Sequence, residues 1–161
     1  VIAAVNGFAS GAGFSLALAC DVRVVCESAR FNQAYVKIGL TPDGGSSFFL
    51  TKMLGPARAT DLIFTGRVID AQEAVVLGLA NEVAPDGFFS ERVEQMAKQF
   101  AAGPPMSYKM AKKLINEALG PSLEAQLDHE REFIVSASLS NDFEEGLAAF
   151  INKRKPVFNG N

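Results

Sequence analysis

With 161 residues, the chain is long enough to fold as one globular domain with a substantial apolar core. Its 48% hydrophobic and 20% charged content is unlike that of a disordered chain, and a net charge of −3 leaves no basic excess for nucleic acid. No stretch approaches the ~20 apolar residues of a membrane span. Cys20 and Cys26 lie in apolar segments and favour reduced thiols in a cytoplasmic compartment, and the single histidine argues against a metal site.

The first part of the chain predicts a strand–helix–strand unit. Residues 1–5 are a short apolar run rich in Val and Ile, residues 11–20 form an almost wholly apolar helix, and residues 22–25 form the next strand. Such a unit predicts parallel strands with a right-handed crossover. A connecting region over 31–38 follows, with a short strand at its start.

The remainder predicts mainly helices, with short extended segments over 68–69 and 81–84. The first group spans 43–54, 56–64 and 71–77, the last of which is capped by Asp70 and closed by Gly78. From residue 88 the pattern becomes amphipathic, with helices over 88–101, 104–119, 122–138 and 141–152. We therefore divide the chain into a core portion, residues 1–87, and a helical region, residues 88–161.

Two glycine-rich turns are the most informative features. The first, residues 6–13, lies between the first strand and the apolar helix, and the second, residues 39–47, also opens a helix. Glycine at a helix start lets a ligand approach backbone N–H groups that carry the positive end of the helix dipole. The second turn adds one carboxylate, Asp43. Together, they indicate proton transfer next to a carbonyl whose oxyanion is stabilised.

The residues alone leave simpler interpretations open. The first turn could serve packing only, and an aspartate after proline at a helix start is commonly a capping residue. Three phenylalanines, Phe14, Phe48 and Phe49, together with Leu40, could supply an apolar wall around Asp43. Such a wall would raise the pKa of a carboxyl group, whereas the helix N-terminus would oppose that rise.

In their order and spacing, these segments resemble the crotonase family, also called the enoyl-CoA hydratase/isomerase family. The matching segments are 1–7, 19–21, 29–31, 39–47, 54–59, 64–66, 74–79 and 153–156. The resemblance implies an α/β fold with a crotonase-like ββα superhelix core and a C-terminal helical region that forms homotrimers, often paired into hexamers. It also implies a preceding segment, on the same polypeptide or on a separate chain, that carries further strands, one oxyanion donor and much of the coenzyme A site.

The resemblance assigns roles to particular residues. The Ala12 N–H would be an oxyanion-hole donor, with Gly11 and Gly13 allowing close approach of the substrate. Asp43 would be the catalytic carboxylate, Leu40 and Phe48 would line the acyl site, and Lys153 would reach the coenzyme A phosphates. Ser15 and Tyr35 occupy the positions where hydratases of the family carry two glutamates, which disfavours hydration by the two-glutamate route.

We therefore expect an acyl-CoA isomerase that converts a 3-enoyl-CoA into a 2-enoyl-CoA, with coenzyme A as part of the substrate and no other cofactor. Three alternatives stay open. The chain could belong to an enoyl-CoA hydratase, to an enzyme that resembles aryl-CoA dehalogenases and uses Asp43 as a nucleophile, or to a non-catalytic subunit that binds acyl-CoA.

Overall fold

The computed structural model describes all 161 residues and contains six strands and eight α-helices. The strands are β1 (Ile2–Val5), β2 (Phe8–Ser10), β3 (Val22–Cys26), β4 (Arg30–Asn32), β5 (Ile69–Asp70) and β6 (Glu82–Ala84). The helices are α1 (Ala12–Ala19), α2 (Ser46–Leu54), α3 (Pro56–Thr65), α4 (Ala71–Val76), α5 (Phe89–Ala101), α6 (Pro105–Glu117), α7 (Leu123–Ser138) and α8 (Asn141–Ile151). None of these helices has the length and apolar character needed to cross a membrane.

The strands form two small sheets. In the first, β3 lies between β1 and β6, and both pairings are parallel. In the second, β4 lies between β2 and β5, parallel to the former and antiparallel to the latter. Because β1 and β3 are parallel and α1 connects them, the predicted strand–helix–strand unit is present.

The chain passes from the first sheet to the second between β1 and β2. Residues 8–10 were expected to belong to the first glycine-rich turn, but they form β2, which pairs with β4 in the second sheet. Only Ala9 of the three is buried, so a strand this short carries no apolar run by which the sequence could reveal it. The chain therefore leaves one sheet and enters the other before it reaches α1.

An apolar core holds the first elements together. Its largest fully buried side chains include Phe14 and Leu18 on α1, Val24 and Val25 on β3, and Leu50 on α2. Phe14 and Leu18 are four positions apart, so these two side chains lie on one face of α1. The core therefore fixes the orientation of α1, whose N-terminus follows the first glycine-rich turn.

The structure contains two compact units, Val1–Ala97 and Lys98–Asn161. The boundary lies later in the chain than position 87/88, where the sequence pattern changes. The physical reason is that α5 contributes Phe89 and Met96 to the core of the first unit, with Val93 packed against it. The functional division into residues 1–87 and 88–161 stays a prediction.

In the second unit, two carboxylates of α8 hold the C-terminal residues. The buried side chain of Asp142 accepts hydrogen bonds from the Asn159 and Gly160 amides, at 2.7 and 3.0 Å. Glu145 accepts both guanidinium nitrogens of Arg154, at 2.6 and 2.7 Å, and the Val157 amide at 2.8 Å. The last residues are therefore fixed by charge-assisted hydrogen bonds rather than by an apolar contact alone.

The Glu145 contacts predict a specific pH dependence. The hydrogen bonds from Arg154 and then from the Val157 amide lower the pKa of Glu145 to about 2. Because this pKa is lower in the folded chain than in the unfolded one, the stabilisation is complete above the unfolded value and is lost as the pH falls towards 2. We expect the Val157 amide proton to keep a constant chemical shift from pH 7 to about pH 4.

Two variants provide the controls for this titration. Glu145→Gln should move the Val157 resonance and make it independent of pH, whereas Glu144→Gln, on the exposed neighbour, should leave it as in the parent chain. A Val157 amide that titrates in the parent chain with a midpoint near the ordinary glutamate value of 4.5 would show that the contacts are absent in solution.

Candidate functional site

The first turn presents the bare N-terminus of α1. Gly11 precedes the helix at φ 52°, a conformation that favours glycine, and no side chain caps the helix or places a negative charge in its first turn. The Gly11 amide donates to the Asn32 carbonyl over 3.0 Å, and this bond fixes the turn against β4. Ala12 and Gly13 are exposed, and the first N–H groups of a helix have no partner within it. The turn can therefore donate to an external anion or carbonyl oxygen.

The second turn adopts a conformation that depends on glycine. Gly44 and Gly45 have φ values of 59° and 80°, which bring the chain from Asp43 into α2. The Asp43 carbonyl accepts from the amide and from the hydroxyl of Ser46, each at 3.1 Å. The backbone of Asp43 is thus fixed by the first residue of α2, while its side chain stays outside the helix.

A single buried hydroxyl joins the two turns. Ser15 is 1% exposed, and its Oγ lies 3.1 Å from the Gly11 carbonyl and 3.0 Å from the Asp43 carbonyl. The turns approach so closely here that a Cβ on Gly44 would lie 2.9 Å from the Cβ of Ser15. Ser15 therefore serves as a structural contact between the turns, in a position too buried to meet a substrate directly.

Tyr35 brings the side chain of Asp43 towards the first turn. Its hydroxyl donates to Oδ1 of Asp43, and its ring lies so near Gly11 that a Cβ there would be 3.2 Å from Cζ. Burial, followed by the hydrogen bond to Asp43, raises the pKa of Tyr35, and a weaker contact with Ser15 opposes the shift. The phenol is consequently protonated near neutral pH and acts as a donor. One phenol thus links the carboxylate to the turn that carries Ala12.

The other predicted site residues lie in different surroundings. Leu40 and Phe48 are 57% and 55% exposed, and the Phe48 ring meets Phe49 edge-on at 5.5 Å. The apolar wall expected around Asp43 does not enclose it, because Asp43 is itself exposed. Phe14, expected in that wall, is 1% exposed and packs on Phe31, so it belongs to the core. Lys153 lies just after α8 in the second unit, exposed and at φ 52°.

The structure therefore groups Gly11, Ala12, Gly13 and Asp43 around the Ser15 and Tyr35 contacts. Sequence reasoning identified Ser15 and Tyr35 only as replacements for glutamates and missed both contacts. Ser15 and Asp43 are 28 residues apart in sequence, and they are neighbours only because the crossover between the two turns is fixed. Only an argument from that crossover could have revealed the contact. No group of three or more His, Cys, Asp or Glu residues lies close enough together to hold a metal ion.

Comparison with known proteins identifies the family. The model of the enoyl-CoA hydratase/isomerase family matches residues 1–161, that is, the whole chain. The chain therefore belongs to the enoyl-CoA hydratase/isomerase family, which confirms the crotonase resemblance. The fold agrees as well: a crystal structure of an enoyl-CoA hydratase from Polaromonas sp. JS666 superimposes with a TM-score of 0.95 at 44% identity, covering 99% of this chain and 62% of that one.

Two curated relatives differ in the activity that their names describe. A probable enoyl-CoA hydratase from Rhodobacter capsulatus is 41% identical over 99% of this chain and 62% of its own length. The 1,2-epoxyphenylacetyl-CoA isomerase of Escherichia coli K12 is 39% identical over 99% of this chain and 61% of its own length. The chain thus spans about three fifths of the relatives that it matches.

Because the two turns approach closely, a methyl group added at Gly44 should destabilise the fold more than one added at Gly39. Gly44→Ala should lower the free energy of unfolding by about 1–3 kcal/mol more than Gly39→Ala, because both glycines have positive φ but only Gly44 faces Ser15. A Cβ on Gly39 meets no atom within 4 Å, so this variant measures the backbone strain alone. Chemical denaturation of the two variants gives the difference, and equal stabilities would contradict the contact between the turns.

Proposed function

We propose that this chain carries the catalytic centre of an acyl-CoA isomerase that moves a double bond from C3–C4 to C2–C3 of a 3-enoyl thioester. Membership of the enoyl-CoA hydratase/isomerase family supports an acyl-CoA substrate. The single observation that carries the proposal is the location of Asp43: it is joined through Tyr35 to an uncapped helix N-terminus. A base beside amide donors suits a proton taken from the carbon next to a thioester.

The reaction begins with removal of a proton from C2. The thioester oxygen accepts a hydrogen bond from the Ala12 N–H, and the Asp43 carboxylate takes the C2 proton. The electron pair of the broken C–H bond moves into the thioester, so that negative charge develops on the oxygen beside Ala12. One oxyanion donor of this kind contributes about 2.7–4 kcal/mol to lowering the barrier.

The second step returns the same proton to a different carbon. The protonated Asp43 carboxyl delivers it to C4, where the C3–C4 π electrons form the new C–H bond. The C1–C2 π electrons of the dienolate become the C2–C3 double bond, and an electron pair on the oxygen re-forms the thioester carbonyl. No group is lost or gained, so one carboxylate that acts first as base and then as acid is sufficient. This requirement fits a site in which Ser15 is buried and Tyr35 is a hydrogen-bond donor.

Hydration of a 2-enoyl thioester is the second candidate. The relative from Rhodobacter capsulatus, described as a probable enoyl-CoA hydratase, favours it. Water would then have to be activated by Asp43 alone, or together with groups that lie outside this chain. The two candidates share the substrate class and the Ala12 donor, and they differ in whether water enters the product.

The helical unit supports a further part of the proposal, namely assembly into a homotrimer or a pair of trimers. Several of its large apolar side chains are exposed to solvent: Ile134 is 70% exposed, and Leu139 and Phe150 are both 83% exposed. Contiguous exposed apolar surface typically marks an interface. Analytical ultracentrifugation of the complete natural polypeptide should give a trimer or hexamer, and a monomer at micromolar concentration would contradict this part.

The role of Asp43 is tested by Asp43→Asn in the complete natural polypeptide. We expect turnover of a 3-enoyl-CoA to fall by roughly 10²–10⁴-fold, because the amide cannot accept the proton, while binding of coenzyme A esters persists. Asp128→Asn makes the same chemical change at an exposed residue of α7 and should keep full activity.

Two outcomes would overturn the assignment. An Asp43→Asn variant with full isomerase activity would exclude Asp43 as the base. A parent enzyme that adds water to a 2-enoyl-CoA much faster than it isomerises a 3-enoyl-CoA would replace the isomerase by the hydratase candidate.

A further inference from the structure

The phenol of Tyr35 restrains the side chain of Asp43 at one oxygen only. The hydroxyl donates to Oδ1, while Oδ2 accepts no hydrogen bond in the structure. A carboxylate fixed in this way can still receive a proton, and Oδ2 is the more available oxygen because the phenol already occupies a lone pair of Oδ1. The two oxygens of Asp43 are therefore not equivalent.

The position of Tyr35 is itself fixed by its surroundings. The residue lies in the short 3₁₀ helix Ala34–Ile38, whose end is closed by the Leu40 amide donating to the Tyr35 carbonyl over 3.0 Å. Its ring occupies the space that a side chain at residue 11 would need, since a Cβ there would approach Cζ to 3.2 Å and Oη to 3.4 Å. Gly11 thus serves the site twice, by its backbone conformation and by the room that it leaves for the phenol.

The backbone of Asp43 is restrained at the same time. Its carbonyl receives the Ser15 hydroxyl at 3.0 Å and the Ser46 amide at 3.1 Å. With its main chain tied to α1 and α2, and with Oδ1 tied to Tyr35, the carboxylate has little freedom to rotate. A fixed carboxylate favours a reaction in which reacting atoms must stay aligned.

We propose that Tyr35 is a positioning residue that holds Oδ1 of Asp43, so that Oδ2 alone removes the substrate proton and returns it to the same substrate molecule. This inference rests on the proposed isomerase function and adds to it a fate for the transferred hydrogen. A carboxyl group that cannot rotate keeps its proton facing the substrate. Without the phenol, the protonated carboxyl can turn towards water and exchange its proton before C4 receives it.

The test follows the hydrogen rather than the rate alone. A 3-enoyl-CoA deuterated at C2 is converted in ordinary water by the complete natural polypeptide, and mass spectrometry measures how much deuterium reaches C4. The parent enzyme should retain a measurable fraction. Tyr35→Phe should retain several-fold less, with kcat lower by roughly 10- to 100-fold and KM within about threefold of the parent value.

Two further variants separate positioning from a loss of structure. Tyr108→Phe removes a phenol oxygen from an exposed tyrosine of α6, and it should retain parent values of kcat and label transfer. Replacement of Tyr35 by 3-fluorotyrosine keeps the hydroxyl and should restore label transfer. Thermal midpoints of all variants are compared, so that a folding defect is recognised.

The outcomes distinguish this inference from the function on which it rests. If Asp43→Asn is inactive while Tyr35→Phe transfers deuterium as the parent enzyme does, the role of Tyr35 is wrong and the isomerase stands. A Tyr35→Phe variant with lower kcat but unchanged label transfer would likewise overturn it, since a merely structural role has that signature. If Asp43→Asn is fully active, the isomerase proposal fails, and the inference about Tyr35 that rests on it fails with it.

Discussion

The candidate site depends on one buried hydroxyl that ties together two turns far apart in sequence. Ser15 reaches the Gly11 carbonyl and the Asp43 carbonyl within 3.1 Å, and Gly44 leaves no room for a side chain between them. A buried hydroxyl without a partner would destabilise the fold, and the single proton of Ser15 finds an acceptor in each of the two turns. The contact that satisfies Ser15 therefore also brings the carboxylate turn to the N-terminus of α1.

The same helix is held at its opposite end by a buried cation. The Arg23 guanidinium donates to the Cys20, Leu79 and Leu18 carbonyls, at 2.6, 2.7 and 3.4 Å. Burial lowers the pKa of Arg23, yet an arginine stays charged, and a positive charge complements the negative end of the helix dipole. With its C-terminus satisfied in this way, α1 is left with a positive end that no side chain caps. In the proposed function, that end binds the substrate oxygen, so that one end of the helix serves stability and the other serves catalysis.

Much of this arrangement could be predicted from the sequence, and the failures have physical reasons. The apolar run after the first turn predicted α1, and end signals predicted α3 and α4, including the cap by the Asp70 side chain, which accepts from the Glu73 amide. The strand β2 was missed because three residues carry no period, and Phe14 was misplaced because an all-apolar helix does not reveal which face is buried. The bond from Tyr35 to Asp43 was missed because it depends on the 3₁₀ helix Ala34–Ile38, whose geometry the residue pattern does not specify.

The central claim is that Asp43 and the Ala12 amide act on the same thioester. It is tested most directly by a crystal structure of the complete natural polypeptide with an unreactive, saturated acyl-CoA. The account predicts the thioester oxygen about 2.7–3.1 Å from the Ala12 nitrogen, and Oδ2 of Asp43 about 3–3.5 Å from C2. A thioester bound away from the N-terminus of α1, or an Asp43 carboxylate that faces solvent beside a correctly bound thioester, would contradict it.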